Sequence, residues 1–129
     1  MRRFVRETRG QSAVEAALAL PILLLLVLGI ADLGRLGYYS IAVSQATRNA
    51  AAYAAVNPGV GTSYLRALVC EEMGLDTDCV QAPSVSRTSL NATVTVTYQF
   101  TFITGVIVQR FGAGSIPLTA QATFPGYTQ

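Results

Sequence analysis

Hydrophobic residues are concentrated in one uninterrupted run near the start of the chain. Residues 16–31 read AALALPILLLLVLGIA, a stretch of sixteen positions without a charged or strongly polar side chain. Glu15 and Asp32 flank the run, and at about 1.5 Å per helical residue they lie roughly 25 Å apart, close to the thickness of the hydrocarbon core of a bilayer. The pattern predicts a transmembrane helix over residues 11–33, with the two acids at opposite membrane interfaces.

Charge is distributed unevenly on the two sides of this run. The first ten residues contain four Arg and one Glu, a net charge of +3, whereas the residues beyond 37 contain four Arg and four acids. The positive-inside rule therefore predicts that residues 1–10 are cytoplasmic and that residues 34–129 form an extracytoplasmic domain. A cleaved secretory signal begins in a similar way, but the small-residue pairs that could end it lie inside the run or about twenty residues beyond it.

The helical pattern continues beyond the membrane, over residues 34–56, because no stop signal occurs before Asn57-Pro58-Gly59. Alanine recurs at every fourth position of this segment and forms a smooth stripe that another backbone could approach closely. The stripe consists of Ala42, Ala46, Ala50 and Ala54. We expect it to pack against the chain's own sheet or against a second subunit, although the high helix propensity of alanine would also explain the pattern.

The remaining residues alternate between apolar and polar side chains, which is typical of half-buried strands. The alternation is strongest over residues 89–103 and recurs over residues 115–124, and residues 79–86 are a candidate third strand. Pro117 confines its strand to an edge of the sheet or itself to the first positions of the strand. A short helix over residues 62–73 is bounded by a Ser/Thr start and by Gly74. Together these elements predict an α+β fold, in which a long N-terminal transmembrane helix continues into a small antiparallel sheet domain.

The residue types argue against catalysis. The chain contains no His and no Lys, and it has neither a nucleophile elbow nor a phosphate-binding loop. The neutral outer segment also lacks the basic surface that binds nucleic acid. We therefore predict a protein that is not an enzyme and that has no cofactor, no metal and no nucleic-acid partner.

Two cysteines and an acidic segment remain as candidates for a disulfide and for a metal site. Cys70 and Cys79 are the only cysteines, and in an oxidising compartment an even pair normally forms a disulfide. Closing a loop of about ten residues would contribute on the order of 2 to 3 kcal/mol; two free buried thiols or a two-ligand metal site are the alternatives. Four acids lie between the cysteines and could attract calcium, but their spacing matches no recognised calcium loop, and we interpret the segment as a solvated loop.

The N-terminal residues resemble a known class of pilus proteins. The segment RGQSAVE, Arg9 to Glu15, resembles the processing site of type IV-class prepilins, in which a small residue precedes the cleaved bond and Glu is the fifth mature residue. Residues 9–56 resemble the TadE-like family of minor pilins from tight-adherence pilus systems. The shared features are RGQ-x-x-VE, a Leu-Pro within the apolar run, the acidic-x-Gly-Arg that starts at Asp32, and the Ala-Thr-Arg-x-Ala-Ala-x-Tyr-Ala that starts at Ala46.

The resemblance implies a pilin-like fold and a processing step. A dedicated prepilin peptidase would cut after Gly10 and leave Gln11 as the new N-terminus, in a protein of the inner membrane. Ala16 stands where major pilins carry an aromatic residue, which favours a minor pilin or pseudopilin. The implied partners are the peptidase, other pilins or pseudopilins, the inner-membrane assembly platform and membrane lipid, and the implied role is in adhesion and biofilm formation.

The position of Glu15 has a physical meaning of its own. After cleavage, this carboxylate and the new α-amino group would lie within a turn of each other at the membrane edge, where neither charge is stable in lipid. Pairing with the amine of a neighbouring subunit would neutralise both charges and set the register of assembly. Alternatively, the helix is a lone membrane anchor and Glu15 lies among the lipid headgroups. Such an anchor would suit two other functions: an uncleaved accessory subunit of an export complex, or a membrane-tethered binding domain.

Overall fold

The computed structural model describes residues 5–76, 78–88, 90–105 and 114–126, and of residues 5–9 it describes the backbone only. Part of the predicted cytoplasmic leader, residues 1–4, therefore lies outside the described residues. Two helices precede three strands: α1 (Val5–Val56), α2 (Thr62–Glu72), β1 (Ser84–Arg87), β2 (Asn91–Thr101) and β3 (Ser115–Pro125). This arrangement confirms the predicted α+β fold class.

Helix α1 is the dominant element of the molecule. It contains 52 residues and is about 78 Å long at 1.5 Å per residue. Pro21 lies inside the helix without ending it. The helix ends at Val56, and both the backbone N–H and the side-chain amide of Asn57 donate to the carbonyl of Tyr53 at 3.0 Å. These bonds satisfy a carbonyl at the helix terminus, and Pro58 prevents further helical hydrogen bonding.

The first half of α1 has the length and composition of a membrane span. The side chains of residues 10–27 are all exposed in the structure. Most of them are Leu, Ile, Val and Ala, so this surface suits a lipid environment or the apolar surface of another helix.

The three strands form an antiparallel sheet with β2 in the centre. β2 and β3 pair along their full length, from Asn91 opposite Pro125 to Thr101 opposite Ser115, whereas β1 pairs with β2 over four residues. β1 is shorter than the predicted strand over residues 79–86. Val80 makes only an isolated bridge to Tyr98, and Pro83, which has no N–H to donate, separates that bridge from the strand.

One face of the sheet packs on the outer half of α1 and the other is polar. The buried residues of the core come from α1, α2, β2 and the segment between α2 and β1, and they are almost all small or aliphatic: Val43, Ala46, Ala50, Ala51, Ala54, Ala55, Leu65, Val69, Cys70, Met73, Val80, Ala92, Val94 and Val96. On the opposite face, hydroxyl groups of β2 and β3 are hydrogen-bonded in pairs, Thr93 with Thr123 at 2.9 Å and Thr97 with Thr119 at 3.2 Å. The alternation in the sequence of β2 therefore separates a core face from a solvent face.

Candidate functional site

The predicted processing residues lie on the exposed N-terminal part of α1. Gly10, Gln11 and Glu15 are all exposed, and the side-chain amide of Gln11 donates to Oε1 of Glu15 at 3.4 Å, one turn further along. A Cβ added to Gly10 would meet no atom within 4 Å. Glycine inside a helix costs roughly 0.5 to 1 kcal/mol relative to alanine, so Gly10 weakens the helix next to the peptide bond that follows it.

A second polar cluster lies at the other end of the apolar run, around Asp32. This side chain is 2% exposed. Its Oδ1 accepts the backbone N–H of Ile103 at 2.9 Å, and its Oδ2 accepts the backbone N–H and the hydroxyl of Thr104 at 2.9 and 2.7 Å. Nη1 of Arg35 lies 3.1 Å from Oδ1. The buried carboxylate therefore has four hydrogen-bond donors, which compensate for its removal from water.

Sequence reasoning assigns Asp32 only to the outer membrane interface. Its backbone partners lie 71 and 72 residues further along the chain, and no periodic pattern links such distant positions. The acidic-x-Gly-Arg motif was the available signal, because it places Arg35 one turn from the carboxylate. The motif does not indicate that the carboxylate is buried.

Arg35 and a group of aromatic side chains join α1 to the end of β2. The guanidinium carbon of Arg35 lies 5.2 Å from the ring centroid of Phe100, in the range of a cation–π contact. Tyr39 stacks on Tyr98 with a centroid distance of 5.2 Å. Burial, with a further contribution from Tyr39, raises the pKa of the Tyr98 hydroxyl above its ordinary value, so this group is protonated at neutral pH.

The alanine stripe faces the core of the same chain. Ala46, Ala50 and Ala54 are at most 1% exposed, and Ala42 is half-buried at the edge of the interface. Small side chains at these positions allow the helix to approach the sheet closely. In the structure the chain's own sheet, together with α2, covers the stripe.

Cys70 and Cys79 are joined by a disulfide, with their Cα atoms 5.7 Å apart. The chain reverses between them because Gly74 adopts a φ of +67°, a conformation that L side chains rarely adopt. The N–H of Gly74 donates to Glu71 and that of Leu75 to Cys70, both at 2.9 Å. These two bonds form a Schellman motif, which ends α2 and returns the chain towards Cys70.

The acids between the cysteines do not converge on one point. Asp78 forms an ion pair with Arg66 at 2.8 Å, and Glu72 accepts the side-chain amide of Asn49 at 2.7 Å. In the described parts of the chain, no group of three or more His, Cys, Asp or Glu side chains is arranged to hold a metal ion.

Comparison with known proteins gives a match for the N-terminal part of the chain. A family model described as TadE-like protein matches residues 10–52, that is 43 of the 129 residues. No curated protein and no solved structure matches the chain. The matched segment contains Glu15, the apolar run, Asp32 and most of the alanine stripe, and it ends before the sheet. The match covers a third of the chain, and it shows that the long N-terminal helix, including its apolar segment, is similar to the TadE-like family.

Proposed function

We propose that this chain is a TadE-like minor pilin or pseudopilin, cleaved by a prepilin peptidase after Gly10, that acts in the assembly of a tight-adherence pilus and so in adhesion and biofilm formation. The observation that carries the proposal is the exposed, apolar first half of α1, with Glu15 one turn from Gln11. The family match over residues 10–52 supports it.

The proposed mechanism follows from the charges near the cleaved bond. Cleavage removes a leader that contains four Arg, each of which contributes on the order of 1 kcal/mol of attraction to anionic headgroups. The mature helix then keeps one α-amino group at Gln11 and the carboxylate of Glu15. When two such helices pack side by side, the amine of one neutralises Glu15 of the other, and the pairing fixes their axial register.

The proposed topology places each part of the chain near different partners. Residues 1–10 form the cytoplasmic leader, which the peptidase reads, and residues 11–33 span the inner membrane beside lipid and other pilins or pseudopilins. Residues 34–129 form the extracytoplasmic domain. The inner-membrane assembly platform would engage the helix after cleavage. The alternative is an uncleaved single-pass accessory subunit of a secretion or export complex, which keeps this topology but retains the leader.

The test is intact mass and N-terminal sequencing of the protein from membranes of cells with and without the prepilin peptidase. We expect a chain that starts at Gln11 only when the peptidase is present. Gly10→Leu should keep its leader because a large side chain replaces the small residue before the cut, while Gly59→Leu, also in open space, should be processed normally. A chain that keeps residues 1–10 in both membranes would overturn the proposal and favour the accessory subunit.

A further inference from the structure

The buried contacts of α1 with the rest of the chain begin at a single polar residue, Asp32. Among the described side chains of α1, Asp32 is the first buried one, and the next is Val43. Ten residues lie between them, and the distance from Asp32 to Val43 along the helix is about 16 Å. The side chains in that interval are exposed or half-buried. Asp32 is thus a polar contact about three turns before the continuous buried interface that begins at Val43. Between the two, the half-buried Arg35 and Tyr39 lie against Phe100 and Tyr98.

The Asp32 contact joins α1 to the turn that follows β2. Ile103 and Thr104 are consecutive residues, and they direct two backbone N–H groups and one hydroxyl at the two oxygens of the carboxylate. Hydrogen bonds to an ionised carboxylate are shorter and stronger than neutral ones. Because two of the donors belong to the backbone, the bonds fix the path of the turn itself.

We propose that Asp32 is a clamp that fixes the orientation of the sheet relative to the membrane helix. The interface from Val43 onward holds the distal part of the sheet, and the clamp holds the membrane-proximal end, so the sheet cannot rotate about its distal attachment. When the clamp opens, the turn at Ile103 and Thr104 separates from α1 while the distal interface remains intact.

Arg35 strengthens the clamp and connects it to the sheet. Its guanidinium group pairs with Asp32 and lies over the ring of Phe100, the last buried residue of β2. The Arg35 side chain is 38% exposed, so its charge remains partly hydrated and the pair with Asp32 is not sealed in the interior. The two backbone amides, rather than the ion pair, therefore contribute most of the stabilisation of the clamp.

The inference does not depend on cleavage at Gly10, and its test measures local opening. Hydrogen exchange would be followed on the full-length protein in lipid nanodiscs. In Asp32→Ala, we expect exchange at the amides of Ile103 and Thr104 to accelerate on the order of tenfold or more, with exchange at Val94 and Val96 unchanged. Asp78→Ala is the control, because it removes an exposed carboxylate that pairs with Arg66 at the other helix.

Two further variants separate the clamp from overall stability. Thr104→Val removes the hydroxyl donor and keeps the backbone donor, so a smaller acceleration is expected at the same two amides, whereas Thr104→Ser should behave like the unmodified protein. Unchanged exchange at Ile103 and Thr104 in Asp32→Ala would overturn the proposal. An equal acceleration at Val94 and Val96 would also overturn it, because Asp32 would then support the whole fold rather than one contact.

Discussion

At the scale of single residues, two carboxylates that flank the same apolar run have different surroundings. Glu15 is exposed and is bonded only weakly to Gln11, at 3.4 Å. Asp32 is buried and has four donors between 2.7 and 3.1 Å. The bonding capacity of Asp32 is used within the chain, while Glu15 is accessible to another molecule. This difference supports the proposal that Glu15 pairs with a neighbouring subunit.

Replacing Glu15 tests that assignment. In Glu15→Ala, the α-amino group of a neighbouring helix would have no partner in an apolar environment, and losing one member of a buried pair costs about 3 to 5 kcal/mol. We expect incorporation into sheared pili, or cross-linking to other pilins, to fall below detection, and Glu15→Gln should behave in the same way. Glu72→Ala, which removes an exposed acid on α2, is the control. Normal assembly of Glu15→Ala in an unchanged register would contradict the pairing.

At the scale of elements, α1 is one helix with three environments. Its first part is exposed and apolar, its middle carries the Asp32 contact, and its last part contributes small residues to the core. The alanines at every fourth position leave room for the valines of β2 because their side chains end at Cβ. The last part of α1 therefore belongs to the same packed unit as the sheet, although it continues the apolar helix without a break.

Enlarging one alanine of the stripe tests this packing. Ala50 is 0% exposed, so Ala50→Leu should overpack the interface and lower the free energy of unfolding by about 1 to 3 kcal/mol. The matched control is Ala52→Leu, at a half-buried position on the same helix, which should cost clearly less. Denaturant unfolding of the detergent-solubilised protein, followed by circular dichroism, measures both. Equal losses would mean that the stripe does not limit the helix-to-sheet distance.

The turn after α2 provides a second prediction at this scale. Gly74 has a φ of +67°, so Gly74→Ala should destabilise the fold by about 1 to 2 kcal/mol through backbone strain alone. No atom lies within 4 Å of the added Cβ at Gly74 or at Gly59, and Gly59→Ala is therefore a matched control without a positive φ. Unfolding midpoints measure the difference. A loss in Gly74→Ala no larger than that in Gly59→Ala would contradict the strain argument.

At the scale of the whole molecule, the folded part that follows the apolar segment is small and needs support beyond its own core. Part of that support is the outer half of α1, and part is the disulfide that joins the end of α2 to the segment before β1. Domains of this size bury a limited fraction of their surface and are only marginally stable alone. Both supports lie at the helix-facing side of the sheet, and the polar Thr face contributes little to burial.

Removing the disulfide measures its share of the stability. Replacing Cys70 and Cys79 together by Ala should lower the free energy of unfolding by about 2.5 kcal/mol, because the closed loop of about ten residues no longer restricts the unfolded chain. The comparison is the unmodified protein with and without a thiol reductant, in which reduction should cause a similar loss. The double variant should not respond to reductant. Equal unfolding free energies for the oxidised, reduced and variant proteins would contradict a stabilising bridge.

Several features were predictable because their causes are local. The apolar run and the break at Asn57-Pro58-Gly59 follow from side chains within a few residues of each other, and so does the alternation that marks β2 and β3. The shorter extent of β1 was not predictable from alternation. Pairing of β1 with β2 ends near Pro83, and the residue types of 79–86 do not indicate which of these residues have a partner strand.

The sequence by itself therefore determined the two helices, the two long strands, the fold class and an apolar segment long enough to span a membrane, because periodicity and short motifs depend on neighbouring residues. Only the tertiary structure decided that the alanine stripe faces the chain's own sheet and that Asp32 is bonded to Ile103 and Thr104. A contact across some seventy residues depends on how α1 and the sheet pack. That packing arises from the combined burial of many side chains, so it cannot be predicted from any single segment of the sequence.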